Sequence, residues 1–125
     1  MKIYKTKWFH RWAAKEGLNA TVLSAAVAEL EQGLADALGG YMYKKRVALP
    51  GRGKRGGART LVAFRRGSSA FFIYGYPKNE RANVTDRELG ALRLLAKELL
   101  GYSEQQLATA IKAGELFKVN DDGKA

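Results

Sequence analysis

Ten lysines and arginines stand between Asp36 and Glu80 with no acid among them: Lys44, Lys45, Arg46, Arg52, Lys54, Arg55, Arg59, Arg65, Arg66 and Lys78. The 125-residue chain carries 22 Lys+Arg against 12 Asp+Glu, a formal net charge of +10. This one segment therefore supplies the whole excess, and the remainder balances. A local block of cations predicts one face built for a polyanion, whereas an even spread would predict only solubility. Tyr41, Tyr43, Phe64, Phe71, Phe72, Tyr74 and Tyr76 interleave with those cations. Cations that hold phosphates beside aromatics that stack bases are the parts of a single-stranded RNA site. Most aromatics of a small sheet are core, so only one or two tyrosines are expected to reach a ligand.

Other chemistries lack their groups. Cysteine is absent and His10 is the only histidine, so no zinc or iron ligand set exists and no metal is expected. Glu80 is the only carboxylate near the basic block, which excludes paired-carboxylate and two-metal hydrolysis there. Gly51, Gly53 and Gly56 spell G-x-G-x-x-G. A dinucleotide fingerprint must open a helix, and here a β-branched, alternating segment follows. Lys54 lacks the Ser or Thr that a P-loop places after its lysine. What remains over 51–57 is a mobile basic loop whose Arg52, Lys54 and Arg55 approach phosphates closely.

The elements that must position these groups can be read from periodicity. A short strand is expected over 2–5, then a helix over 6–17 with Phe9, Trp8 and Trp12 at helical spacing. Asn19 or Thr21 caps a second helix, whose stripe is Val22, Leu23, Ala26, Val27, Leu30 and Leu34. Gly39-Gly40 breaks the chain. Strands follow over 41–49, 59–65 and 70–76, the last two joined by a Gly67-Ser68-Ser69 turn as a hairpin. Alternation puts Arg59, Leu61, Ala63 and Arg65 on one face, and Phe72, Tyr74 and Tyr76 on one face, with Lys78 continuing it. Thr85 and Glu88 make a capping box for a helix over 87–100. Ser103 starts a shorter helix over 104–113, and 115–119 adds an edge strand. The expected architecture is α+β: a small antiparallel sheet, made of the N-terminal strand plus three central strands, packs on two N-terminal helices, with extra C-terminal helices. It forms a single domain over 1–120 with a frayed tail over 121–125.

At this length one core is expected, burying roughly two-thirds of the unfolded surface. Apolar residues make up 46%, too many for a disordered basic tail. The absence of cysteine fits a reducing cytosol. The charged N-terminus does not read as a signal peptide, and the longest apolar runs are too short to span a bilayer. A cytoplasmic protein without membrane attachment is expected. The sequons at Asn19 and Asn83 read as cap and turn chemistry.

Two stretches, ALPGRGKRGGARTLVAF over 48–64 and AFFIYGYPKNERANV over 70–84, resemble the RelE/HigB toxins of bacterial type II toxin–antitoxin modules, nearest to the longer HigB-like branch. The resemblance implies a small α+β endoribonuclease that enters the ribosomal A site, cuts mRNA and so inhibits translation. It also implies a cognate antitoxin with a helix-turn-helix DNA-binding part, and no small-molecule cofactor. Arg59 matches the family's strand-opening arginine, and Lys44, Lys45 and Arg46 fall near its lysine strand. In KNER, Lys78, Glu80 and Arg81 match the family's basic run, while Asn79 replaces an arginine. Thr85 stands near the family's tyrosine position. With two family groups absent, the proton-transfer scheme of RelE does not carry over whole.

Metal-independent RNA cleavage needs a group to take the 2′-OH proton, charge to stabilise the phosphorane, and a proton for the 5′-oxygen. Lysine among other cations can act as acid or base, and arginine stabilises the extra negative charge. On this reading Arg59 and Arg81 hold the scissile phosphate, Lys78 or Lys54 is the acid–base group, and Lys44, Lys45, Arg46, Arg52, Arg55 and Arg65 bind RNA and the ribosome. Two other readings remain open: a ParE-like inhibitor of DNA gyrase, and an RNA- or DNA-binding module without catalysis.

Overall fold

The computed structural model describes residues 1–51 and 53–120, without the side chains of 53–55. Arg52 and the tail over 121–125, expected to be frayed, lie outside it. The order is β1 (Lys2–Thr6), α1 (Lys7–Glu16), α2 (Ala20–Glu31), β2 (Asp36–Gly39), β3 (Met42–Leu49), β4 (Gly53–Arg65), β5 (Ser69–Pro77), α3 (Asp86–Leu100), α4 (Glu104–Lys112) and β6 (Leu116–Lys118). The strands form one six-stranded sheet in the order β2-β3-β4-β5-β1-β6. All neighbours are antiparallel except β1, which runs parallel to β5. The protein is thus α+β as expected, with β2 and β6 widening the sheet at its two edges and β1 making it mixed.

Local chemistry sets the element ends. Thr6 caps α1 by accepting from the Phe9 amide at 3.2 Å, and Gly17, at φ 79°, ends it in the left-handed region that glycine enters without strain. Asn19 caps α2, accepting from the Val22 amide at 3.0 Å. Thr85 with Glu88, and Ser103 with Gln106, close full capping boxes on α3 and α4.

Both faces of the sheet are covered. Phe9, Ala13, Leu23, Val27 and Leu30 of α1 and α2 pack on Val47, Ala58, Val62, Phe64 and Phe72. On the opposite face, Ala96, Leu99 and Leu100 of α3 and Leu107 of α4 pack on Tyr4, Met42, Leu61, Ala63 and Phe71. The extra C-terminal helices are therefore the second layer over the sheet. Alternating strands buried on both faces produce this two-sided core.

Two expectations fail. The stretch over 51–57, read as a mobile loop, is strand from Gly53 onward: Gly53 pairs with Leu49 and Ala58 with Val47. Phe72 and Tyr74 do not share a face. Val62 pairs with Phe72 but its neighbour Leu61 pairs with Tyr74, so Ile73 is an inserted residue that resets the alternation. Phe72 points to α1, and Tyr74 to the opposite side. Among the described residues no helix is long and apolar enough to cross a membrane.

Candidate functional site

Register brings the chemistry together. Arg59 of β4 stands opposite Arg46 on β3 and opposite Tyr76 on β5. Two positions along, Lys44, Leu61 and Tyr74 form the next row on the same face. Directly opposed residues have Cβ atoms about 4.5–5.5 Å apart, so Arg46 and Tyr76 flank Arg59 on its two sides, and Arg46 also lines a groove with Thr21 and Glu29 of α2. Leu61 lies under the α3 layer, and Arg59 and Tyr76, one row further along, are buried as well.

Arg59 is 7% exposed, and its Nη1 is buried with no hydrogen-bond partner. A buried donor left unpaired is expensive, and its strand neighbour Arg46 is a second cation. A guanidinium held this way is poised to donate to an anionic oxygen. Tyr76 is buried and donates its phenol hydrogen to the Ala82 carbonyl at 3.2 Å. Burial raises its pKa above the ordinary tyrosine value, against the opposing pull of Arg59 and Arg81. It is therefore protonated at neutral pH, a donor rather than a base.

Arg81 reaches Tyr76 from the segment ahead of α3. Its guanidinium lies 5.7 Å from the Tyr76 ring centroid. Two of its nitrogens meet Glu88 (Nη2–Oε1 2.6 Å, Nη1–Oε2 3.2 Å), and its Nε donates to the Asn83 carbonyl at 3.0 Å. Glu88 is pulled down to about 2, first by Arg81 and then by the Thr85 amide that donates to it. Arg81 thus arrives already paired, and contact with a phosphate requires exchange of its carboxylate partner. Lys44 donates to the Asn83 side-chain oxygen at 2.8 Å, and Asp36 stands opposite it in the β2–β3 ladder.

Lys45 is removed from the site. It lies on the α2 face, buried, with its Nζ 2.6 Å from a Glu29 carboxylate oxygen and 2.8 Å from the Leu34 carbonyl. One step of strand alternation separates it from Lys44 and gives it a structural task instead. Arg65 is also removed. It sits six residues along β4 from Arg59, about 20 Å, where it donates to the Leu100 carbonyl at 3.5 Å and lies over Tyr41.

The RelE toxin family, described as the RelE toxin of the RelE/RelB toxin–antitoxin system, matches residues 1–119. The chain belongs to the RelE family. It is accordingly a toxin of a toxin–antitoxin system, and an antitoxin is its partner. No curated protein and no solved structure is significantly similar to it.

In this RelE toxin Lys78 is exposed in the turn after β5, its amide donating to the Gly57 carbonyl at 3.1 Å. That bond extends the β4–β5 ladder one step and sets Lys78 two residues beyond Tyr76. Arg52 and the side chains of Lys54 and Arg55 lie outside the described residues. His10 stacks on Phe117 of the edge strand β6 at 3.8 Å. Burial, with Lys5 and Arg11 nearby, lowers its pKa, so it is a packed neutral ring. Spacing alone does not mark Tyr76 and Glu88 as neighbours of Arg59 and Arg81. Glu88 carried one visible signal, its place three residues after Thr85, and the same carboxylate also reaches back seven residues to Arg81.

Proposed function

We propose that this RelE toxin is a metal-independent endoribonuclease that cuts mRNA in the ribosomal A site and so inhibits translation. The observation that carries the reading is Arg59: a buried guanidinium with an unpartnered nitrogen, flanked in register by Arg46 and Tyr76. In the reaction the 2′-oxygen loses its proton and bonds to phosphorus, the P–O5′ bond breaks, and the 5′-oxygen is protonated. A 2′,3′-cyclic phosphate and a 5′-hydroxyl result. Arg59, with Arg46 across the ladder, stabilises the added negative charge of the phosphorane. Arg81 is the reserve cation, oriented by Glu88 until phosphate replaces that carboxylate. Lys78 or Lys54 moves the protons, while Lys44, Arg52 and Arg55 hold the strand by its phosphates.

Such a face has few dedicated acid–base groups. It depends on a partner that holds 2′-oxygen, phosphorus and 5′-oxygen in line, a contribution of roughly 7–11 kcal/mol. The decoding site of a ribosome supplies an ordered message, which accounts for a ribosome-dependent enzyme of cytoplasmic location.

The test is induced expression followed by mapping of mRNA 5′ ends. Cuts within translated codons, lost in Arg59→Glu with the fold intact, support the reading. An Arg59→Glu chain as toxic as the parent overturns the assignment of Arg59. DNA damage signalling with intact mRNA would move the target to gyrase.

A further inference from the structure

The net-charge balance conceals a second basic stretch. Residues 1–15 contain Lys2, Lys5, Lys7, Arg11 and Lys15 and no Asp or Glu. Their excess is cancelled only by Glu16, Glu29, Glu31, Asp36 and one surplus acid beyond Lys78. Helix α1 spaces Lys7, Trp8, Arg11, Trp12 and Lys15 by three and four residues, which places them along one helix face. In the structure these five line a single shallow cleft. Lys7, Arg11 and Lys15 are exposed, and Trp8 is 46% exposed.

The aromatic rings of this cleft are joined to Tyr76, the strand neighbour of Arg59. Trp8 stacks on Tyr74 with centroids 4.5 Å apart and planes at 28°. Trp12 continues the row on one side, 6.1 Å from Trp8 with planes at 15°, and Tyr76 on the other, 6.2 Å from Tyr74. Strand topology makes this possible. β1 pairs with β5 only from Ser69 to Phe72. Beyond that point the chain leaves the sheet at Thr6, whose hydroxyl donates to the Ile73 carbonyl at 3.2 Å, and becomes α1. The 74–77 end of β5 therefore has no strand beside it there, and α1 lies against it. Trp12 closes over Gly75 so tightly that a Cβ there would stand 2.3 Å from its ring. The row thus passes round the open edge of β5, from the α1 side of the sheet to the face that carries Arg59.

A stacked row that includes a half-exposed indole, in a cleft lined by three cations and no acid, matches the stacking-plus-phosphate pattern of single-stranded nucleic acid sites. We infer that Trp8, with Lys7, Arg11 and Lys15, is a second RNA subsite, stacking a base of the message beside the phosphate held at Arg59. The inference rests on the basic face being an RNA site, and it gives the strand a path: from Arg59 past Tyr76 and Tyr74 onto α1.

Trp8 and Trp12 are the only tryptophans, so Trp12→Phe leaves Trp8 as the sole reporter. The probe is a 2′-O-methyl hexanucleotide, which the enzyme cannot cleave, titrated at low salt. Saturable quenching of Trp8 is expected, and it persists when Arg59→Ala is added. With labelled probe, Trp8→Ala and Arg11→Glu each weaken binding roughly tenfold with the far-UV circular dichroism of the folded chain kept. Parental affinity in both variants overturns the inference. So does unchanged Trp8 emission with RNA, including the case in which antitoxin alone quenches it and the cleft is a protein interface. Failure of the ribonuclease reading shows separately, as intact mRNA after induced expression of the parent chain.

Discussion

Replacing Arg59 by methionine sets stability against activity in opposite directions. The side chain is 7% exposed with one buried nitrogen unpartnered, and a cation stands opposite it in the β3 ladder. An unsatisfied buried donor costs about 1–3 kcal/mol, more when charged, and like charges across a ladder add up to about 1 kcal/mol. Methionine keeps the apolar stem and discards the donors and charge. Arg59→Met should therefore be more stable by about 1–3 kcal/mol, a rise in melting temperature of about 4–12 °C for a chain of this size. Cleavage should fall by about 10²–10³-fold, the loss seen when one donor to a transition-state oxyanion is removed. Thermal and urea denaturation read the first effect, and primer extension on mRNA from translating ribosomes reads the second. Phosphate supplies a control: at ten times its Kd it stabilises the parent by about 1.4 kcal/mol and leaves Arg59→Met unmoved. A variant that is less stable yet still cleaves would refute the reasoning, because Arg59 would then be a satisfied structural residue.

Lys44 and Lys45, adjacent in sequence, should separate cleanly. Lys44→Ala weakens single-stranded RNA binding with melting temperature kept, whereas Lys45→Ala leaves RNA binding near parental and costs about 1–3 kcal/mol in urea denaturation by breaking a largely buried ion pair. Glu88 is ionised in the folded chain down to pH about 2, while the unfolded chain takes up its proton near 4.5. Its contribution is therefore complete above about pH 4.5 and lost as pH falls toward 2. Melting curves of Glu88→Gln between pH 2 and 6 should show a shallower acid loss than the parent. Gly75→Ala forces Trp12 off β5 and should cost about 1–3 kcal/mol, with a change in tryptophan emission. If Lys44, Arg46 and Arg59 each neutralise one phosphate, log affinity for single-stranded RNA should fall with log salt at a slope of about −2.

Much of this molecule is local and was readable as such. The caps at Asn19, Thr85 and Ser103 are decided within four residues by which side chain can accept the first free amides. The apolar stripes of α1 and α2 follow from helical period alone. Strand existence in β3, β4 and β5 follows from β-branched and aromatic content. β2 was missed because Asp36–Gly39 carries none of that composition. It is a strand only because β3 offers it a partner. The glycine-rich stretch was misread for the same reason, since Gly53 and Gly56 argue for a loop until the β3 ladder extends to meet them.

The site shows the division most clearly. Composition alone determined that the excess positive charge lies between Asp36 and Glu80 and that Arg59 is among its cations. Those are properties of residue type and of charge count along the chain. Tertiary structure decided which cations share the face. Strand alternation sends Lys44 to it and Lys45 to Glu29. Strand length carries Arg65 away from it. A single inserted residue, Ile73, turns Tyr74 and Tyr76 toward Arg59 while Phe72 stays in the core. It also recruited what the charge count had averaged away, the basic tryptophan face of α1, because β1 stops short of the end of β5. Register and strand ends are set by pairing between distant segments, and no local pattern records them.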